Sequence, residues 1–334
     1  MLISKMHRRA LLATSALVAL VQMLPVSAQA QSTYPTRPIR FLVGFAPGGS
    51  ADNVARVVAA EMSKKLGQQV VIENKTGASA NIATQALLAA PADGYTILFA
   101  GLTLATNPAM MDNVGYNPDK DLVMVSQITA LPVVALAKAD SPLNNLQDVI
   151  AAAKAKNGTL KFGSGGLGTT SHLAPELLSR TAGFKYTHVP YRGGGPALQA
   201  LFSGETDLMF DLMTPTLKSN AEAGKIKFLG VMQKEPTPAL PSIKPAAVQG
   251  VPNDALVRSW QGVAVRNGTP PEIIAKLHDS IVSAVGNKEV REKLEAIGTE
   301  IRTSAKPADF QLLYKEELAR WTALIKTAGI KAEQ

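Results

Sequence analysis

Three short stretches of this chain hold the residue types from which an anion site can be built without any basic side chain. They are Phe45-Ala46-Pro47-Gly48-Gly49-Ser50-Ala51-Asp52, Thr76-Gly77-Ala78-Ser79-Ala80-Asn81 and Gly163-Ser164-Gly165-Gly166-Leu167-Gly168-Thr169-Thr170-Ser171-His172. Each lies between a β-rich apolar run and a helical pattern. Glycine admits positive φ and lets a ligand approach the backbone closely. The helix beyond carries N–H groups with no intrahelical acceptor and about +0.5 of a charge from its dipole. Such an end binds anions, and serine and threonine hydroxyls add donors. A tight turn with an N-cap residue explains any one such loop. Three in one chain favour an anion site.

The third stretch also matches G-x-G-x-x-G at Gly163, Gly165 and Gly168, after a predicted strand and before a predicted helix, as a dinucleotide site requires. Against that reading, the next strand ends in Pro190-Tyr191-Arg192, with no acidic residue to hold a ribose, and the motif lies mid-chain. No cofactor is expected. His172, His188 and His278 lack metal-ligand spacing and the chain has no cysteine, so no metal is expected. There is no G-x-S-x-G elbow. Ser164 and His172 can in principle pair as nucleophile and base, but no orienting acid is evident. Asp207 and Asp211 fall on one side of a predicted strand. Asp211, at its carboxyl end, either meets a ligand donor or caps a loop. Trp260 reads as core or cleft wall.

The elements that must carry these loops alternate. Apolar runs at 39–43, 70–72, 95–100, 133–137, 160–163, 186–189, 207–210, 227–231 and 261–265 read as strands. Helical patterns at 52–66, 81–89, 144–156, 171–180, 196–202, 271–285, 288–297 and 308–328 lie between or after them. In 52–66, Val54, Val57, Val58, Met62 and Leu66 share a face and Gly67 suits a C-cap. The alternation predicts an α/β fold with a largely parallel sheet. Two segments read as crossings between lobes: the apolar run Leu122–Ala137, interrupted by Pro132, and the proline-rich stretch from Pro236 to Pro252 leading into Val257–Val265. They divide the chain into a discontinuous first lobe, 31–130 plus 256–334, and a second lobe, 131–255. Ligands in such folds sit at the carboxyl ends of strands and in clefts between lobes.

The first thirty residues read as a cleavable signal peptide. Lys5, Arg8 and Arg9 precede an uncharged apolar run from Ala10 to Leu24, and Ala28-Gln29-Ala30 offers a cleavage site. The run is short of the ~20 residues of a membrane-spanning helix. Arg8-Arg9 raises twin-arginine export, but Ala10 and Leu11 fit that motif poorly, so the general secretory route is expected. Losing this segment removes three of the 34 basic and none of the 26 acidic residues, so the excess falls to about five. Nothing resembles a nucleic-acid footprint. Without a cysteine after the signal to carry a lipid, a protein free in the periplasm is expected; a monomer is expected as well.

Tyr34-Pro35-Thr36-Arg37-Pro38-Ile39-Arg40, the first loop, Val71-Ile72-Glu73-Asn74, Pro91-Ala92-Asp93-Gly94-Tyr95-Thr96, Ser171-His172-Leu173, His188-Val189-Pro190-Tyr191-Arg192-Gly193, Met209-Phe210-Asp211 and Ala328-Gly329-Ile330 occur in order. This pattern resembles Bug-type extracytoplasmic solute receptors, the binding proteins of tripartite tricarboxylate transporters, over essentially the whole chain beyond the signal. The resemblance implies a type II periplasmic-binding-protein fold, two lobes joined by two hinge strands. It implies a periplasmic, non-enzymatic protein that captures a small organic carboxylate (a dicarboxylate, acidic amino acid or aromatic acid) and delivers it to a membrane permease. The family's carboxylate-holding loops map onto Phe45–Asp52 and Ser164–His172. With the loop readings above, the ligand-binding candidates are Phe45, Pro47, Gly48, Gly49, Asp52, Ala78, Ser79, Thr103, Ser164, Gly168, Thr169, Thr170, His172 and Asp211. Leu167, Thr103 and Leu212 are expected to shape the distal end. Many relatives read Gly-Ala-Gly-Gly-Asn where this chain has Gly77-Ala78-Ser79-Ala80-Asn81, so the pocket should be smaller or differently shaped there. An exported hydrolase using Ser164 and His172, or a loaded sensor for a signalling partner, are the alternatives.

Overall fold

The computed structural model describes residues 34–329, Pro238 excepted; the expected signal peptide lies outside them. β1 (Ile39–Val43) buries Ile39, Phe41, Leu42 and Val43 and pairs in parallel with β2 (Val70–Asn74) on one side and β3 (Thr96–Gly101) on the other. Between them run α1 (Ser50–Leu66) and α2 (Asn81–Ala89). Of the predicted α1 face, Val54, Val58 and Met62 are fully buried, while Val57 and Leu66 sit half-buried at its flank. Gly67 ends the helix at φ 68°, its N–H on the Ser63 carbonyl. Glycine takes this left-handed cap without a Cβ penalty.

The run from Leu122 is one strand, β4 (Leu122–Lys138), that serves two sheets. Up to Pro132 it pairs antiparallel with β9 (Arg258–Arg266), which also pairs antiparallel with β3. From Val133 onward it pairs antiparallel with β7 (Leu208–Leu212) on one side and β8 (Ile226–Val231) on the other. Proline has no N–H for a ladder, and Pro132 stands where β4 leaves one sheet for the other. The second sheet continues in parallel from β7 to β5 (Lys161–Ser164) and β6 (Thr187–Pro190). A short β10 (Glu300–Ile301) closes against β4 in the first. The α/β reading holds, with a correction. The outer pairs are parallel as expected, but β4, β8, β9 and β10 make the centre antiparallel, because the crossing strands run against the βαβ units they join.

Helices cover both sheets: α3 (Thr103–Met110), α4 (Leu146–Lys156), α5 (Thr170–Ala182), α6 (Gly194–Ser203), α7 (Pro215–Glu222), α8 (Pro271–Gly286), α9 (Lys288–Ala296) and α10 (Pro307–Ala328). α3 and α7 were absent from the sequence reading. Pro108 inside α3 and the polar composition of Pro215–Glu222 hide them. In the second sheet, Leu208 and Phe210 pack with α5 residues Leu173 and Leu177, while Met209 and Met213 pack with α6 residues Ala197, Leu198 and Leu201. Strand alternation therefore aims each face of β7 at a different helix. Trp321, Tyr314 and Phe310 anchor α10, and Trp260 lies edge-on to Phe310 and Tyr314. Trp260 is core.

Candidate functional site

The first loop is held open from below by a buried acid. Asp52, 2% exposed, accepts from the Gly48 N–H (2.9 Å) and Arg56 Nε (2.8 Å) on one oxygen and from Asn74 Nδ2 (2.9 Å) on the other. Burial pushes its pKa up, but the bonds from Arg56, Gly48 and Asn74 outweigh it and hold the carboxyl below its usual range. Asn74 also donates to the Phe45 carbonyl at 3.0 Å. Asp52 and Asn74 thus fix the curve of the loop. Gly48 (φ 81°), Pro47 and Gly49 are exposed, Phe45 half-buried. Gly49 is the N-cap of α1 and supplies no side-chain cap, so no capping side chain takes the N–H groups of the first turn.

The second loop is a 3-10 turn, Ala78–Ala80, in which all three residues have positive φ. Ala80 packs so closely on Gly44 that a Cβ at Gly44 would collide with it. That contact seats the second loop beside the first. Asn107 Nδ2 of α3 donates to the Ser79 carbonyl at 2.9 Å. Thr103 and Thr106, one turn apart on α3, are both buried.

The third loop spends most of its own groups on itself. The N–H of Gly165 donates to Ser171 Oγ (2.9 Å), that of Gly166 to Ser164 Oγ (3.2 Å), and that of Gly168 to His172 Nδ1 (3.1 Å). Thr169 Oγ1 turns back on the Gly166 carbonyl (2.6 Å), leaving α5 without a side-chain cap. The N–H groups of Gly165, Gly166 and Gly168 are thus taken, whereas those of Thr170 and Ser171, in the first turn of α5, have no side-chain cap.

Two rings support this loop. His172 and His188 stack, with centroids 4.0 Å apart and planes within 9°. Ser164 Oγ, on a fully buried residue, lies 2.6 Å from His188 Nε2. The Ser164–His172 pairing that the sequence left open in principle is not made: the serine's partner is His188, while His172 Nδ1 accepts from the Gly168 N–H. Burial pushes the His172 pKa down to about 4; burial and then the His172 neighbour push His188 down to about 3. Both rings are neutral at ordinary pH. Sequence reasoning passed over His188 because its place depends on the register of β5 with β6: Phe162 faces His188, which puts His188 and Ser164 on one sheet face.

Asp211 is the last residue but one of β7, its Oδ1 accepting from the Leu212 N–H at 2.8 Å. Its other oxygen rests on Gly194 at the start of α6, where a Cβ would collide with it. Burial pushes its pKa up to about 6. The glycines at 193–195, which make this close approach possible, are a fourth loop that the sequence reading did not single out. A Cβ on Gly165 would lie 3.2 Å from Gly193 and Gly194, so Asp211 borders the third loop through α6. Leu167 and Leu212 are half-buried.

The loops meet. Ser79 Oγ donates to the Leu167 carbonyl at 2.9 Å, and Thr106 Oγ1 to the Gly168 carbonyl at 3.0 Å. The second loop thus lies against Gly44, from which the first loop springs, and against the third loop of the other sheet. Among the described residues no group of three or more His, Asp or Glu side chains is arranged to hold a metal.

A family model described as "Tripartite tricarboxylate transporter family receptor" matches residues 54–330. The chain is 31% identical to the periplasmic binding protein BugD, whose structure superposes with a TM-score of 0.82 over 90% of this chain and 100% of that one. A protein from R. palustris determined with adipate is 34% identical, with a TM-score of 0.84 over 90% and 100% of the two chains. MatC from Rhodopseudomonas palustris, with bound malate, is 32% identical, with a TM-score of 0.79 over 87% and 100%.

Proposed function

The chain belongs to the tripartite tricarboxylate transporter receptors, a family of periplasmic solute-binding proteins with the two-lobe fold, and from that premise we propose that it captures one small organic carboxylate. The observation that carries this reading is the second loop's contact with Gly44 before the first loop and with the third loop, in a chain where α1 and α5, which follow the first and third loops, both start without a side-chain cap. Unpaired N–H groups and two helix dipoles offer an anion a polar seat without a cation. The candidate contacts are Phe45, Pro47, Gly48 and Gly49 from the first loop, Ala78, Ser79 and Thr103 beside it, and Gly168, Thr169 and Thr170 from the third. Asp52, Ser164 and His172 act behind these, holding the loops in shape. Asp211 serves a donor on the ligand's far end. The neighbours with adipate and malate make a dicarboxylate the first ligand to try.

The lobes of this reading follow the two sheets and divide where β4 passes Pro132 and where the chain returns at β9. The closed form with its ligand in place is what permease subunits recognise, and a ligand adds to closure only by its differential affinity for the open and closed forms. Export with loss of a signal near Ala30 supplies the free carrier. The protein binds without turnover: Ser164 is fully buried and no acid hydrogen-bonds its His188 partner among the described residues. Thermal melts against a panel of organic acids test the proposal. A ligand at 100 times its Kd adds ~2.7 kcal/mol. Malate, adipate or a related acid should raise the Tm in a concentration-dependent way. Stabilisation by sugars, amines or metals, with none by carboxylates, would overturn it.

A further inference from the structure

Ala78, Ser79 and Ala80 have φ of 44°, 51° and 70°. Residues with a Cβ rarely enter this left-handed region, and three in succession need something to hold them there. Ala80 is held by its close seat on Gly44, and the Ser79 carbonyl by Asn107 Nδ2. The Ser79 hydroxyl is then aimed at a carbonyl 88 residues away, that of Leu167 (2.9 Å). Thr106, fully buried, sends its hydroxyl to the next carbonyl, that of Gly168 (3.0 Å). Gly168 adopts φ 69° with no room for a Cβ against the Met110 sulfur. Both donors therefore come from segments that follow strands of the first sheet, and both acceptors are consecutive carbonyls on the loop that follows β5 of the second.

We infer that Ser79 and Thr106 form a latch that clasps the Leu167 and Gly168 carbonyls and holds the two sheets in their closed arrangement without a ligand. The inference rests on the reading of a cleft that opens and closes, and it adds that closure is built in beforehand. Two neutral hydrogen bonds, each modest on its own, together bias an open–closed equilibrium by roughly 30-fold. The latch also explains why this loop keeps a serine in a conformation that glycine would adopt freely: only a side chain reaches across. A ligand then selects a closed form already populated, and its apparent affinity is reduced by the open fraction alone.

Small-angle scattering of the purified, ligand-free protein tests this with no ligand in the cell. The wild type should match the closed arrangement, near the ~19 Å radius of gyration of a compact chain of this length. Ser79→Gly combined with Thr106→Val should enlarge that radius while the melt stays cooperative. Should the double variant fail to fold, Ser79→Gly alone carries the test, because it removes the hydroxyl and relieves the left-handed backbone at once. A wild type already expanded without ligand, or a variant that scatters as the wild type does, would overturn the latch. Neither result bears on whether a carboxylate binds, which the melting panel decides separately.

Discussion

At the scale of single residues, the charged groups of the site work by being placed where water is not. Asp52 is buried and carries three hydrogen bonds, so Asp52→Ala leaves Arg56 and Asn74 without it and frees the first loop. We expect a loss of about 3 kcal/mol by denaturant titration, with weaker carboxylate binding; Asp52→Asn should cost less, since it keeps shape and one acceptor. The histidine pair makes a pH prediction. His172 has its folded pKa near 4, below the ordinary 6.5, so the unfolded chain binds more protons between those values. Stability is then full above pH 6.5 and falls as the pH drops toward 4, by about 3 kcal/mol for His172 alone. Asp211 acts in the opposite sense: its pKa is raised from 3.8 to about 6, so it stabilises at low pH and loses that effect as the pH rises through 6. Melting curves of Asp211→Asn should therefore fall more steeply on acidification than those of the wild type, and a shallower fall would contradict this.

At the scale of elements, equal backbone strain should have unequal consequences. Gly67 and Gly168 have φ of 68° and 69°, but a Cβ at Gly67 meets open space and one at Gly168 meets Met110. Both Gly→Ala changes cost about 1 kcal/mol from the left-handed backbone. Gly168→Ala must in addition displace the tip of the Met110 side chain beside the carbonyl that Thr106 holds, and calorimetry should show its ligand affinity lowered while Gly67→Ala binds normally. The same contrast shows what the sequence made legible. Local signals sufficed for most strands and helices: Gly67 as a cap, the apolar stripe of α1, the start of α2 at Asn81. They sufficed for three glycine loops as well. They failed where partners are distant. Nothing local to Ser164 says whether His172 or His188 sits beside it; that depends on the register of β5 with β6. Nothing near Thr106 reveals the Gly168 carbonyl 62 residues away. The third loop's N–H groups looked available because the side chains that claim them, Ser171 and His172, belong to a helix whose rotation is set by packing on β7.

At the scale of the whole molecule, the two tryptophans share one side of the hinge. Trp260 on β9 and Trp321 on α10 both point their Nε1 at Glu317, at 3.4 and 2.8 Å, and both are buried. A motion of one sheet against the other leaves that cluster intact. Ligand that raises the Tm should accordingly leave the tryptophan emission maximum unchanged, and a marked shift on binding would show that closure distorts the first sheet. Pro132 of β4 and Arg258 of β9 are register partners, so the segment that builds the second sheet leaves the first and re-enters it at facing backbone positions. In the language of gene assembly, that segment is a cartridge with adjoining ends. Recombination between relatives at these two points would exchange one wall of the binding cleft whole, with the loop after β5 and Asp211 inside it, and leave the other wall untouched. New ligand preferences can thus arise by shuffling halves, without passing through a series of single substitutions.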